Sequence, residues 1–314
     1  MFLGILAGLA TGALWGLIFI APLAVAPYSG VDLAIGRYLM FMAASLIVLA
    51  LVGARMRCLP LAGWLNGVWL GVLGYAIFYG FLVIAVAHAG VQIAAVVLGL
   101  LPIFLAIAGN LSAGLKWRAL ALPLLLIALG LLVVNGFALK EAGTPAARGE
   151  IVLGILAALG SVASWVGYGI LNARAVGCIP NLDTLGWTSL QGVGAGIGIV
   201  LFGLAAEPFG YVHLFDLGFR WPEARDLVFW SVITGVFGGW GATWLWNVTS
   251  SRLPLVLSGQ LYVSEPVFGV IYGFLWEQRL PTLPEAFGIT AVFAGVLLSI
   301  AAVGRARSSS KING

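Results

Sequence analysis

The chain has 314 residues, of which 62% are hydrophobic and only 8% charged, with a formal net charge of +4. A soluble domain carries about 25% charged residues, so this sequence has too few to cover a water-facing surface. A soluble enzyme and a nucleic-acid binder are both excluded, because the basic residues lie in loops where they orient a protein in a membrane.

In chain order, apolar runs fall near 3–25, 31–53, 63–87, 91–111, 118–136, 151–173, 183–205, 227–250, 254–276 and 283–304. Each is long enough as a helix to cross about 30 Å of hydrocarbon, and none shows the ten-residue alternation of a barrel strand. The expected fold is an all-α membrane protein with ten transmembrane helices. No basic n-region precedes the first run, which therefore reads as a retained helix. It offers Thr11 and Trp15 to the interior. In the second, Arg37 lies about 7–8 Å inside the outer end, near enough to snorkel, so anchoring or structural pairing is weighed above binding of a substrate carboxylate.

The third run places Tyr75 and Tyr79 one turn apart, and His88 near its outer end reads as a cap or loop residue. The sixth carries Ser161, Trp165, Tyr168 and Asn172, and the eighth Trp240, Trp244, Asn247 and Ser251, at helical spacing. Such faces suit a ligand with an aromatic or apolar body and a polar head, although the same residues also pack helices. Trp187, Trp221, Trp230 and Trp276 lie near run ends, as interfacial belt residues do. Cys58 and Cys178 fall on the expected cytoplasmic side, where no disulfide is expected, and no metal-ligand set or cofactor motif is present in the sequence.

The ninth run holds the most specific signal, S-G-Q-L-Y-V-S-E-P-V-F-G from Ser258 to Gly269. Glu265 falls near mid-depth, where an acidic residue costs roughly 2.5–3.5 kcal/mol and is functional by default. Pro266 lacks an N–H and frees a carbonyl one turn upstream, near Tyr262. Ser258, Tyr262, Glu265 and Gly269 recur at four, three and four, and so share a face of a kinked helix. Glu265 is then a proton carrier, a partner for a substrate ammonium, or polar glue between helices.

Pro102–Gly109, P-I-F-L-A-I-A-G, repeats Pro266–Gly273, P-V-F-G-V-I-Y-G, at an offset of 164, with Leu101 standing where Glu265 does. Gly99 and Pro102 are the matching hinge. L-G-I-L-A recurs at 3–7 and 153–157, and Gly71, Val72 and Gly74 match Gly235, Val236 and Gly238. Two five-helix copies, residues 1–137 and 150–304, joined by a loop at 138–149 and followed by a tail at 305–314, must enter the membrane in opposite senses because five is odd. Inverted repeats with broken helices hold substrate at mid-membrane between the halves. Basic residues number nine on one side and five on the other, placing both termini inside. Cysteines placed at Ala146 and Glu223 should then react with an impermeant thiol reagent in intact cells and one at Ser309 should not; labelling at Ser309 would end the ten-helix topology.

Leu14-Trp15-Gly16, Gly36-Arg37-Tyr38, Glu265-Pro266-Val267-Phe268, Trp276-Glu277 and Gly295-Val296-Leu297-Leu298 together resemble the drug/metabolite transporter superfamily, over essentially the whole chain. The similarity is greatest to the ten-helix EamA-type exporters, and among these to the bacterial aromatic amino-acid exporters. The Glu common in that family after the fourth helix is absent, Ser112–Lys116 standing there, while Glu277 supplies it after the ninth. The resemblance implies a bacterial inner-membrane exporter of amphipathic metabolites with a central cavity, working by alternating access and without a cofactor. Its expected partners are the bilayer and a small-molecule substrate, with proton-coupled and facilitative transport both open. The site residues would be Trp15, Tyr75, Tyr79, Trp165, Tyr168, Trp244, Ser258, Tyr262 and Glu265, with Pro102, Pro266 and Gly99 as hinges. An intramembrane enzyme needs a second catalytic group beside the lone acid, a channel needs a filter motif, and an ATP-driven pump needs a P-loop, none of which the sequence offers.

Overall fold

The computed structural model describes residues 1–113, 118, 121–126, 128–129, 148–278, 280, 283, 286–288, 290–291, 294–295, 297–298 and 301. The long elements among them are helical, and six stretches are long and apolar enough to cross a membrane: Phe2–Ala24, Gly30–Met56, Leu61–Ala89, Gly149–Cys178, Thr184–Phe209 and Ala224–Arg252. They are the first three expected spans of each half. Most of the fifth and tenth spans, together with Ala146 and Ser309, lies outside the described residues.

The third and fourth spans are joined without the loop expected at 88–90, since helix continues from Phe78 to Leu98. The chain nevertheless reverses within it. Leu73, Phe78 and Ala89 lie against Ser164, Ser161 and Gly154, antiparallel to the sixth span, whereas Leu105 lies back at Gly169. A straight helix to Leu98 would leave roughly 36 Å to be covered by the next seven residues, which reach about 25 Å at most. His88 is therefore helical, and at this tight reversal it meets Glu150 of the sixth span instead of capping a loop. Arg148 and Gly149, expected in a loop, already belong to the sixth-span helix, Arg148–Cys178.

The packing of the spans is symmetric on exchange of the halves. The second packs on the seventh and the fourth on the ninth; the first packs on the eighth as the third does on the sixth, and the second on the eighth as the third does on the seventh. Both third-position helices widen into π turns, at Val72–Ile77 and Ile233–Gly241. The first π segment falls on the last six residues of the second at the 164 offset. Such turns are rare and concentrate at functional sites.

Close approach of the first and ninth spans is set by glycine. Gly4, Gly8, Gly12 and Gly16 recur every four residues on one face, and a Cβ there would strike Leu253, Leu261, Ser264 or Phe268–Gly269. Small residues at this spacing let two backbones approach where lipid gives no hydrophobic drive to associate.

At one end of the bundle the start of the second span is clasped to the loop after the seventh. Ser29 caps the second span in a reciprocal box with Asp32, and the Asp32 carboxylate, only 1% exposed, also accepts the backbone N–H groups of His213 at 3.3 Å and Leu214 at 3.0 Å. The Tyr28 hydroxyl donates to the Gly218 carbonyl at 2.9 Å. Trp221 and Trp276 are exposed, as a belt requires, but Trp187 is fully buried and its indole N–H donates to Asn172 Oδ1 at 2.9 Å. Its place in the first turn of the seventh span turns it onto Gly67 of the third, away from lipid. Cys58 and Cys178 are free and exposed.

Candidate functional site

The ninth span breaks where its proline requires. Helix runs over Leu255–Leu261 and again over Ser264–Glu277; without a Pro266 N–H, the Tyr262 carbonyl accepts from Glu265 N at 3.1 Å. Glu265 thus sits in the first turn of a half-helix, where unpaired N–H groups favour a negative charge. The sister break at Gly99 and Leu100 precedes the helix Leu101–Ala113, with Ile103 N donating to the Leu100 carbonyl at 3.0 Å. Gly99, Pro102 and Pro266 therefore lie at interruptions of helices that pack on each other.

Against the charged break stands a cluster of rings. Trp15 lies 5.4 Å from Trp165, 5.8 Å from Trp246 and 5.8 Å from Tyr262, centroid to centroid, and Trp165 lies 5.6 Å from Tyr262. Tyr168 and Tyr75 continue it, at 5.0 Å and 5.8 Å from Trp165. Tyr38 packs on Tyr75 at 6.0 Å, and the Arg37 guanidinium lies over the Tyr38 ring, 5.1 Å from its centroid. Five predicted residues from four spans are so brought together: Trp15, Tyr75, Trp165, Tyr168 and Tyr262. They touch one another and are mostly buried, so the expected central cavity is closed by its own lining. A cleft of about 180 Å³ lies between Pro27, Tyr28, Asp216, Leu217, Arg220 and Glu223, beside the clasp.

Part of the site's hydrogen-bonding capacity is unspent. The indole N–H groups of Trp15, Trp165 and Trp246, Nε of Arg37 and Oε2 of Glu265 are shielded from solvent and have no partner. Native interiors leave few such groups, and each one calls for an occupant or a function. Behind the rings, by contrast, polar groups are satisfied. Asn172 accepts from Gln191 at 2.7 Å and donates to Asn247 at 2.7 Å, Asn247 donates to Thr188 at 2.8 Å, and Tyr75 and Thr243 share a 2.6 Å hydrogen bond.

Three expected site residues stand apart. The Ser258 hydroxyl turns back to the Pro254 carbonyl at 3.4 Å, and the Tyr79 hydroxyl donates to the Gly30 carbonyl at 2.8 Å, its ring lying 6.2 Å from Tyr38 and 6.2 Å from Phe202 at the edge of the cluster. Trp244 stacks on Trp240 at 6.3 Å, and Trp246 takes the place expected for it. The spacing argument assumes α-helix throughout, but the π segment through Gly241 changes the number of residues per turn. Arg37 is the largest revision. It is 6% exposed, makes no ion pair among the described residues and lies over the Tyr38 ring, so its side chain is turned into the bundle. Its carbonyl lies at Gly235 in the π segment, and this packing turns the second span so that Arg37 faces inward.

Similarity to known proteins runs over the same elements. The EamA-like transporter family matches residues 152–301. The inner membrane protein YtfF of Escherichia coli (strain K12) is 31% identical over 316 residues, covering 96% of each chain. A crystal structure at 19% identity has the same fold, with a TM-score of 0.73 over 96% of this chain and 98% of that one.

Proposed function

The chain belongs to the EamA-like transporter family, and on that premise we propose that it is a secondary transporter exporting small amphipathic metabolites, aromatic or other neutral amino acids, from the bacterial cytoplasm. Two inverted five-helix halves, residues 1–137 and 150–304, alternate access around the ring cluster, with both termini cytoplasmic. The observation that carries this reading is the partnerless Glu265 carboxylate oxygen at a proline break, facing rings with unused N–H donors. Buried polar groups without partners cost free energy that a ligand recovers on binding. The clasped outer loops and packed rings fit a state closed toward the outside, which transport requires to open by rigid-body motion of the halves.

Counterflow in proteoliposomes tests the proposal. Vesicles loaded with unlabelled phenylalanine should accumulate labelled phenylalanine without ATP, while absence of exchange across a panel of amino acids and cationic drugs would refute it. A second reading, export of cationic drugs, draws on the carboxylate beside aromatic faces, an arrangement that attracts cations. Exchange of drugs without exchange of amino acids would select it.

The ring cluster carries a further prediction. Trp165→Ala should weaken transport of phenylalanine relative to alanine by roughly three- to tenfold, the worth of one aromatic contact. Trp244→Ala should leave that ratio unchanged, because Trp244 stacks on Trp240 outside the cluster. Equal losses for both substrates in Trp165→Ala would assign the cluster to packing.

A further inference from the structure

A run of touching rings leads from Arg37 toward Glu265: the Arg37 guanidinium lies over Tyr38, which packs on Tyr75, Tyr75 on Trp165, and Trp165 on Tyr262, three residues before Glu265. Arg37 and Glu265 do not touch. The ion pairs among the described residues are Arg55–Asp183, His88–Glu150 and Arg225–Asp226, and no side-chain hydrogen bond joins Arg37 to Glu265. Each charge keeps a shielded atom without a partner, Nε on one and Oε2 on the other. A membrane protein that needed this pair only for stability would close the gap, because two separated charges in a dry interior each retain their desolvation cost. The two residues come from different halves, on the second and ninth spans, and between them lie the rings of Tyr38, Tyr75, Trp165 and Tyr262.

We propose that Arg37 and Glu265 form a two-ended charge filter, in which Arg37 receives the anionic group and Glu265 the cationic group of one zwitterionic ligand, and singly charged relatives are rejected. The proposal rests on the transporter reading above and adds the residue pair that sets substrate charge. A zwitterion completes both ends and leaves the site neutral. An amine without a carboxylate leaves Arg37 buried and unpaired, and an acid without an amine does the same to Glu265. Rejection by an unpaired buried group is the stronger form of specificity. The unused indole N–H groups of Trp15, Trp165 and Trp246 are further donors, and Glu265 Oε2 is an acceptor.

Binding to the purified full-length protein in nanodiscs, measured by calorimetry, tests the filter with two matched triads. One is phenylalanine, phenethylamine and 3-phenylpropionate; the other is leucine, isopentylamine and 4-methylpentanoate. In the wild type at least one zwitterion should bind, about tenfold or more tighter than both of its singly charged relatives. Arg37→Gln should shift preference toward the amine and Glu265→Gln toward the acid, a crossing pattern that a structural role does not produce. Arg37→Lys, which keeps the charge and loses the fork, should keep the order of preference with weaker binding. A singly charged relative binding wild type as tightly as its zwitterion would overturn the filter, as would binding of no member of either triad. Wild-type transport of the amine at the rate of the zwitterion would sink the filter and leave the transporter reading standing. Zwitterion binding in this order with no counterflow would do the reverse.

Discussion

Glu265→Gln should lower substrate exchange by about 100-fold while the protein stays folded, because the amide keeps shape and hydrogen bonding but cannot ionise. Its carboxylate lies in the first turn of the half-helix Ser264–Glu277, with Oε2 shielded and unpartnered. Gly12, across the interface, approaches the Glu265 backbone, and Ser264 is tied to the Leu261 carbonyl at 2.7 Å. If Glu265 also carries the coupled proton, the pH dependence seen in the wild type should flatten in the variant. Counterflow at several pH values reads both effects. Normal exchange with an unchanged pH profile would make Glu265 polar glue beside a proline kink.

Gly12→Leu should destabilise the protein by about 1–3 kcal/mol, toward the upper end, as overpacking of a close contact does. A Cβ at Gly12 would meet the Ser264 side chain and the Glu265 backbone amide. Ser264 cannot turn away without giving up its own hydrogen bond, and the amide belongs to the helix break. Gly177→Ala supplies the contrast. A Cβ there meets nothing within 4 Å, so the better helix former should be neutral or stabilising by up to about 1 kcal/mol. Thermal unfolding in one detergent, read by intrinsic fluorescence, compares the two. Equal melting temperatures would mean that the first and ninth spans do not meet along the glycine stripe.

Composition alone is enough for the membrane class, and the offset of 164 pairs the two proline-broken helices from residue identities alone. The helix break itself is legible because a missing N–H has one consequence, a carbonyl freed near Tyr262. Rotation about a helix axis is not. Depth suggests that Arg37 snorkels, but contact of the second span with the eighth-span π segment turns it inward. Trp187 resembles a belt residue for the same reason, and packing against the third span buries it. Counting at 3.6 residues per turn favours Trp244 over Trp246, because no pattern in the sequence announces the π segment that shifts the face. The stripe at Gly4, Gly8, Gly12 and Gly16 is a pattern of small residues every four positions. Among 44 glycines it does not stand out until the ninth span is seen to lie against it.

The most direct test of the site is a cryo-electron microscopy structure of the protein with substrate bound. Density should lie against Trp165 and Tyr262, within hydrogen-bonding distance of Glu265 at one end and of Arg37 at the other. Density confined to the cleft between Pro27 and Arg220, with the ring cluster still packed on itself, would contradict the account.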